Sequence, residues 1–328
     1  MAYAREKKRG DEKSGIVFAS LSGVSSRAEV EDLMGDVACV LVGEALMRHP
    51  DPRRLVAELR GAEPSSADDA TRHLAKVCGI ARVDDAVAAC RAGADLIGIV
   101  AAPESKRAVK AVCARDIVDA VREYGERSSR WAPGTRESLG DWAAALRRDT
   151  ARGRPLTVAV VQDQPLEDVL EFLETSGADA VQLHGSEDAA YAAALPVPHV
   201  RVLHAPELAE DADGAAVGAA AAALADAFEP SPSCCAVALD AVPAGGTVSG
   251  GAGVACDWRL ASALADRGIP VLVAGGVDAA AVAGAAAAVS AAVVGFDASS
   301  RLETAPGVKD AAAVRAYVDA VTAAPRAA

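Results

Sequence analysis

A cysteine and an aspartate follow or end apolar runs, in positions where a side chain can react at one edge of a sheet. Cys78 follows the run LAKV, and Asp240 ends the run AVALD. A thiol has a reference pKa of ~8.5, and a neighbouring cation or helix dipole lowers it, so we expect Cys78 to serve as a base. Partial burial raises the pKa of a carboxyl group, so we expect Asp240 to donate a proton near neutral pH. The two residues are candidates for an acid–base pair.

Each of these residues also has an ordinary structural interpretation. On position alone, a buried cysteine is more typical of inert packing than of catalysis. A strand-terminal aspartate such as Asp240 is as typical of a helix cap as of a reacting group. His184 equally fits a hydrogen bond to a backbone carbonyl, and Arg107 fits the start of an exposed helix. The chemistry therefore depends on whether the fold brings these side chains together.

Eight branched apolar runs alternate with alanine-rich segments between residues 74 and 325. The runs are LAKVCGI, LIGIV, LTVAVVQ, AVQLHG, HVRVLHA, CCAVALDA, PVLVAGG and AAVVGFDAS. This alternation indicates an α/β protein with a parallel sheet, and eight units in about 250 residues predict a closed (β/α)8 barrel, the TIM barrel. An open doubly wound sheet is the alternative, but no G-x-G-x-x-G turn follows the first run.

A barrel would gather the candidate residues at one mouth, because reacting groups of such enzymes lie at the carboxyl ends of the strands. The glycines and hydroxyls of VAGG and FDASS, after the seventh and eighth runs, are typical of a backbone cradle for phosphate. A flexible loop, GGTVSGGAG at 245–253, follows the sixth run and is suited to cover a ligand. We therefore expect a phosphorylated small-molecule substrate. The candidates are Cys78, Arg107, Gln182, His184, Asp240, Gly275, Gly276, Asp297, Ser299 and Ser300.

Charge and cysteine usage limit the expected binding partners and the expected cellular compartment. The formal net charge is −13, so the chain lacks the Lys/Arg excess that nucleic acids or anionic membranes require. The seven cysteines show no zinc-type spacing, and we expect no metal site. No apolar signal segment is present, which favours a reduced cytoplasmic setting, or a plastid if the source is photosynthetic.

Several segments fall outside the repeating pattern. Residues 1–14 mix both charges and are interpreted as a disordered lead-in, and 62–73 as a linker. Residues 15–61 contain two further βα units, which are too few to close a barrel. Within 74–325, an insertion near 126–154 predicts a surface excursion with its own short helix. A second, near 206–232, predicts an extended fifth helix ending in a proline-rich loop.

The motifs KVCGI, SKR, VQLHG, a strand-ending LD, GGxG followed by DW, AGG and DxSS...E..PG.KD occur in this order. Together they resemble phosphoribosylanthranilate isomerase of tryptophan biosynthesis, over residues 74–325. The resemblance implies an Amadori rearrangement of N-(5-phosphoribosyl)anthranilate to 1-(2-carboxyphenylamino)-1-deoxyribulose 5-phosphate, without a cofactor. It also implies that Cys78 is the general base and Asp240 the general acid. Arg107 would hold the anthranilate carboxylate, with Gln182, His184 and Asp297 on the substrate. Phosphate would bind Gly251, Gly253, Gly275, Gly276, Ser299 and Ser300.

The sequence departs from the family pattern at the phosphate end. The loop GGAGVACDW has Ala252, Val254 and Cys256 where the family has a hydroxyl residue, a basic or amide residue and phenylalanine, which predicts a weaker hold on phosphate. Arg301 stands where the family generally has glycine, and the second strand lacks the usual aromatic residues. These departures leave two alternatives to the isomerase: another phosphosugar isomerase or epimerase, or a non-catalytic barrel that docks to a separate synthase.

The N-terminal segment resembles the last two βα units of indole-3-glycerol-phosphate synthase. The stretches SGVSSRAEVEDL and ACVLVGEALMRHPDP carry the resemblance, in which Ser22, Gly23 and Gly43 match phosphate contacts. Leu21 stands where that family has glutamate, and the earlier strands with the catalytic residues are not in the sequence, so synthase activity is not expected from this chain. We interpret the chain as a fragment of a synthase–isomerase fusion, able to associate with a synthase domain.

Overall fold

The computed structural model describes a short part of the N-terminal region and nearly all of the rest. The described residues are 19–20, 24, 29–30, 39–40, 42–48, 59 and 72–324, with gaps at 135, 151–152, 207, 210, 242–255, 286–288 and 291. The chain divides into two compact units, Met1–Ser66 and Ala67–Ala328.

The first unit contains a parallel pair of short strands, Ala19–Ser20 and Cys39–Val40, followed by the helix Glu44–Arg48. Val24 and Leu59 are buried in a small apolar cluster of this unit. A parallel pair is the arrangement that two βα units produce. Gly43 lies directly before the helix, whereas the expected lead-in, Ser22, Gly23 and all but the last two residues of the expected linker lie outside the described residues.

The second unit contains eight parallel strands in a closed barrel, each paired with its chain neighbours and the eighth paired with the first. The predicted (β/α)8 barrel is thereby confirmed. The strands are β1 (Leu74–Val77), β2 (Leu96–Val100), β3 (Leu156–Val161), β4 (Ala180–Leu183), β5 (His199–Ala205), β6 (Cys234–Ala241), β7 (Val271–Val273) and β8 (Gly295–Ala298).

Helices surround the barrel, and local sequence explains several of their ends. Asp213 and Asp310 accept hydrogen bonds from backbone N–H groups in the first turn of the helices that they precede. Gly93 and Gly177 end two helices in the left-handed conformation. The helices are α1 (Val83–Ala92), α2 (Ala111–Tyr124), α3 (Leu139–Thr150), α4 (Leu166–Ser176), α5 (Ala189–Ala193), α6 (Gly214–Ala227), α7 (Trp258–Ala265), α8 (Ala279–Ala285) and α9 (Ala311–Ala323).

The last helix fastens the strands where the barrel closes. The hydroxyl of Tyr317, fully buried on α9, shares its one hydrogen between the backbone oxygens of Phe296 at 2.7 Å and Lys76 at 3.3 Å. These two oxygens belong to β8 and β1, so one side chain joins the first and last strands. Among the described helices, none is both long and apolar enough to cross a membrane.

The insertion near 126–154 closes the N-terminal mouth of the barrel, which corrects the expectation of a surface excursion. It does contain a helix of its own, α3, but Trp131 and Trp142 are buried and form an edge-to-face pair with centroids 6.1 Å apart. They pack in one apolar cluster with the first residues of the strands, such as Leu74 and Leu156. Trp142 Nε1 donates to the backbone oxygen of Pro232 at 2.9 Å, just before β6. Periodicity alone could not show where the helix packs.

Candidate active site

The carboxyl ends of the strands open into a cavity of about 920 Å³. The residues predicted for the isomerase site that the structure describes all line this cavity, although they come from six strands or the loops after them. Gly251 and Gly253 lie outside the described residues. The lining includes Cys78, Arg107, Gln182, His184, Asp240, Gly275, Gly276, Asp297, Ser299 and Ser300.

Cys78 directly follows β1 and is 8% exposed at the wall of the cavity. The neighbouring strand accommodates it only because residue 98 is glycine, since a Cβ atom there would lie 2.6 Å from Cys78 Sγ and 2.9 Å from its Cα. Burial raises the pKa of the Cys78 thiol, and the positive charges of Lys76 and Lys309 oppose that rise. The expected lowering of this pKa is therefore wrong in its net direction: the cations are present, but desolvation outweighs them.

Beneath Cys78 lies a buried ion pair that the sequence analysis missed. Lys76 has no exposed surface, and its Nζ lies 2.6 Å from Oδ2 of Asp297. The two residues are direct partners in the pairing of β1 with β8. Burial raises the pKa of the Asp297 carboxyl, and the positive charge of Lys76 offsets only part of that rise. The sequence contained a sign of this buried charge, because Lys76 lies two positions before Cys78. Side chains two positions apart along a strand point to the same face, so both point into the barrel.

Across the cavity, three polar side chains form a connected series. Gln182 Nε2 lies 3.1 Å from His184 Nδ1, and His184 Nε2 lies 3.3 Å from Asp240 Oδ2. Asp240 is 9% exposed and reaches the cavity from the end of β6. The imidazole thus lies beside the Asp240 carboxyl group, with His184 Nε2 making no hydrogen bond to the described residues, while Gln182 fixes the ring. The alternation along the strands, with every second residue inward, brings these groups from β4 and β6 to one side of the mouth.

Arg107 is held by a second residue that the sequence analysis did not assign, Glu303. Arg107 Nε and Nη2 donate to the two Glu303 oxygens at 2.8 Å each, which gives a bidentate pair. Lys309 Nζ donates to the same carboxylate at 2.8 Å. Burial raises the pKa of Glu303, but the bonds from Arg107 and Lys309 outweigh it and hold the pKa below its usual value. The motif E..PG.KD contained both partners without indicating their contact.

The turn after Cys78 requires glycine for two reasons. Gly79 has a φ of +75°, in the left-handed region. In addition, a Cβ atom there would lie 2.7 Å from Arg107 Cδ and 2.9 Å from Ser299 Oγ. The turn therefore brings the thiol, the guanidinium and the loop after β8 close together.

The ends of β7 and β8 provide backbone groups at the mouth of the cavity. Gly275 and Gly276 have φ of +80° and +64°, consecutive left-handed conformations that turn the backbone sharply beside the cavity. Ser299 precedes the short 3₁₀ turn Ser300–Leu302. Arg301, where the related family generally has glycine, also lines the cavity and places a cation at this end. Cys256, in place of phenylalanine, is buried.

The architecture is that of the (β/α)8-barrel enzymes, whose active sites lie at the carboxyl ends of the strands. A thiol, carboxyl groups and an imidazole surround the cavity at that end. The family model for N-(5'phosphoribosyl)anthranilate (PRA) isomerase matches residues 137–320. The chain is 33% identical over 251 residues to the N-(5'-phosphoribosyl)anthranilate isomerase of Myxococcus xanthus, covering 75% of this chain and 94% of that protein. This chain belongs to the phosphoribosylanthranilate isomerase family.

Two further comparisons extend this result. The chain is 34% identical over 326 residues to a multifunctional tryptophan biosynthesis protein of Phycomyces blakesleeanus. That match covers 93% of this chain and 40% of the relative, so the chain spans less than half of that relative's length. The crystal structure of the Thermus thermophilus phosphoribosyl anthranilate isomerase superposes with a TM-score of 0.53 at 26% identity, covering 76% of this chain and 98% of that one.

Proposed function

We propose that this chain converts N-(5-phosphoribosyl)anthranilate to 1-(2-carboxyphenylamino)-1-deoxyribulose 5-phosphate in tryptophan biosynthesis. The observation that carries the proposal is the position of Cys78 and Asp240 on one cavity, at the carboxyl ends of β1 and β6, in a member of this family. An Amadori rearrangement requires one group that donates a proton and one that accepts a proton. The cavity supplies both types of group.

The first step opens the sugar ring. Asp240 in its protonated form donates to the ring oxygen, the bond from that oxygen to the first sugar carbon breaks, and the nitrogen lone pair forms a carbon–nitrogen double bond. The intermediate is a cationic Schiff base, and Asp240 is left as carboxylate. His184, 3.3 Å from Asp240, stabilises that negative charge and orients the carboxyl group.

The second step moves a proton off the second sugar carbon. The Cys78 thiolate accepts this proton, and the freed electron pair forms a carbon–carbon double bond while the nitrogen becomes neutral. The Cys78 thiol then returns a proton to the first carbon of the enolamine, and the Asp240 carboxylate accepts the proton of the hydroxyl on the second carbon, which yields the ketone and restores both groups. All atoms and electrons remain within the substrate and the two proton-transfer groups, so the reaction consumes no cofactor.

We assign the remaining contacts by charge. Arg107 pairs with the anthranilate carboxylate through the part of its guanidinium that Glu303 leaves unengaged. Gln182 and Asp297 contact sugar hydroxyls from the cavity wall. Backbone N–H groups around Gly275, Gly276, Ser299 and Ser300 bind the phosphate, together with Gly251 and Gly253 of the loop after β6. Arg301 adds a positive charge that compensates for the altered loop.

The test is turnover of phosphoribosylanthranilate, followed by the loss of anthranilate fluorescence, in the full chain and its variants. We expect Cys78→Ala and Asp240→Asn each to lower kcat/KM by about 10²- to 10⁴-fold, because each removes one positioned proton transfer. Cys113→Ala is the matched control, because Cys113 is an exposed thiol on the outer helix α2, and we expect it to keep full activity.

A folded chain without turnover would contradict the proposal and favour the docking role. Turnover that survives Cys78→Ala and Asp240→Asn would instead show that other groups carry the reaction, as expected for a barrel built as another phosphosugar isomerase or epimerase. The altered residues Ala252 and Val254 of the loop GGAGVACDW are the observation that keeps these alternatives open.

We also propose the domain organisation and a partner. Residues 74–325 form the isomerase barrel, 15–61 a synthase-like segment, 62–73 a linker and 1–14 a lead-in. The multifunctional relative supports an association with an indole-3-glycerol-phosphate synthase domain. Co-purification of the full chain with a separately expressed synthase domain tests this, with a chain lacking 1–61 as the comparison.

A further inference from the structure

The Lys76–Asp297 pair has a position that stability alone does not explain. A fully buried ammonium is costly to desolvate, and replacement of a buried ion pair by apolar residues of similar size is often neutral or stabilising. Lys76 nevertheless points into the barrel directly below the thiol, with Asp297 at 2.6 Å as its counter-charge. Lys76 and Cys78 lie two positions apart on the same face of the chain at β1, and the positive charge of Lys76 acts on the thiol. The charge is thus retained beside a proposed proton acceptor.

We propose that Lys76 is a positioning residue for the reaction, whose buried ammonium favours the proton-accepting thiolate form of Cys78 against the effect of burial. The inference rests on the proposed role of Cys78 as the base. Asp297 keeps the ammonium in place and neutralises it in part. The main-chain oxygen of Lys76 accepts a hydrogen bond from Tyr317, which fixes this part of β1.

The other groups around Cys78 do not replace Lys76. The neighbouring strands β2 and β3 and the loop after β2 present apolar atoms to Cys78, from Val100, Val160 and Ala102. Two more cations, Lys309 and Arg107, also interact with the thiol, and both donate hydrogen bonds to the same Glu303 carboxylate. On β8, Asp297 acts in the opposite sense to Lys76. Its effect on the Cys78 pKa is smaller than that of Lys76, so the pair as a whole favours the thiolate.

Direct titration of Cys78 in the full chain tests the proposal. The thiolate is followed by its ultraviolet absorbance near 240 nm as a function of pH, with the matching Cys78→Ala protein as the blank for the other cysteines. The proteins compared are the native chain, Lys76→Met, Asp297→Asn and the double variant with both changes. Circular dichroism confirms that each is folded.

The decisive comparison is the native chain against the double variant, because Asp297→Asn alone leaves Lys76 buried without its counter-charge and favours loss of the Lys76 proton. We expect the Cys78 midpoint to be about 1 pH unit higher in the double variant, because a nearby opposite charge shifts a pKa by ~1–3 units and Asp297 offsets part of that effect in the native chain. If Lys76→Met fails to fold because it leaves Asp297 unpaired, this comparison still holds, since the neutral Met and Asn side chains leave no buried charge.

Kinetics provide the second readout. The pH at which kcat/KM rises should move upward in Lys76→Met and return towards the native value in Lys76→Arg, which restores the charge. Equal Cys78 midpoints in the native chain and the double variant would overturn the proposal. The titration needs no turnover, so an inactive native chain would count against the proposed function and leave the titration to decide the role of Lys76.

Discussion

The two mouths of the barrel differ in how their buried polar atoms are paired. At the N-terminal mouth, both oxygens of Asp179 accept hydrogen bonds: Arg127 donates to them at 2.9 and 2.7 Å, and the backbone N–H groups of Trp131 and Thr157 donate at 2.9 Å each. At the carboxyl mouth, Gln182 Oε1 and Asp297 Oδ1 are buried and have no hydrogen-bond partner among the described residues. Both atoms belong to residues that line the cavity.

This difference separates groups that stabilise the fold from groups that are kept for a ligand. A buried acceptor without a partner costs free energy, so a fold tolerates it where a substrate donates the missing bond. Some arginine nitrogens near the N-terminal mouth, such as Arg127 Nε, also lack a partner among the described residues, but the other nitrogens of the same guanidinium are bonded. We therefore expect mutations at one mouth to change stability and mutations at the other to change catalysis.

The largest effect should come from Asp179→Ala at the N-terminal mouth. Burial raises the pKa of Asp179, but the bonds from Arg127, Thr157 and Trp131 outweigh it and hold the pKa below its usual value. Removal of the carboxylate leaves Arg127 buried without its partner and should lower the free energy of unfolding by about 3–5 kcal/mol. Urea unfolding measures this. The kcat/KM of Asp179→Ala, assayed at a urea concentration well below the unfolding midpoint, should equal the native value. A loss of activity alongside the loss of stability would contradict the assignment of stability to one mouth and catalysis to the other.

An intermediate effect is expected from Glu303→Gln at the carboxyl mouth. The variant removes the charge from the bonds that orient Arg107, and charge-assisted bonds contribute about 1.5–3 kcal/mol. We expect KM for phosphoribosylanthranilate to rise by about 10-fold, with a smaller change in kcat, because Arg107 binds a part of the substrate that does not react. Steady-state kinetics measure both constants. A kcat that falls as steeply as KM rises would show that Glu303 acts on the reacting atoms instead.

The smallest effect should come from Trp142→Phe. The change keeps an aromatic ring in the plug, which is the insertion near 126–154 that closes the N-terminal mouth. It removes the indole donor to the Pro232 oxygen. Loss of one such bond should cost about 1 kcal/mol of unfolding free energy, without any change in kcat/KM. The same urea experiment detects it. A cost as large as that of Asp179→Ala would mean that packing of the ring against Trp131, not the hydrogen bond, holds the plug.

The sequence by itself determined the architecture and the candidate reacting and binding residues of the cavity. The eight apolar runs predicted eight strands, because a parallel strand covered on both faces must be apolar along its length. Strand ends could be located from the same runs, so Cys78, His184 and Asp240 could be placed at one mouth before any contact was known. Arg107 and Asp297 followed from position and from motifs that resemble the family.

Only the tertiary structure decided which charges meet. Lys76 and Asp297 lie 221 positions apart and pair because β8 closes against β1. Arg107 and Glu303 are separated by 196 positions and form a bidentate pair in the folded chain. The same holds for the plug of α3 and for the direction of the Cys78 pKa, which depends on desolvation against the nearby cations. Strand periodicity is a local property, whereas burial and Coulomb interactions depend on distances that exist only after the barrel closes.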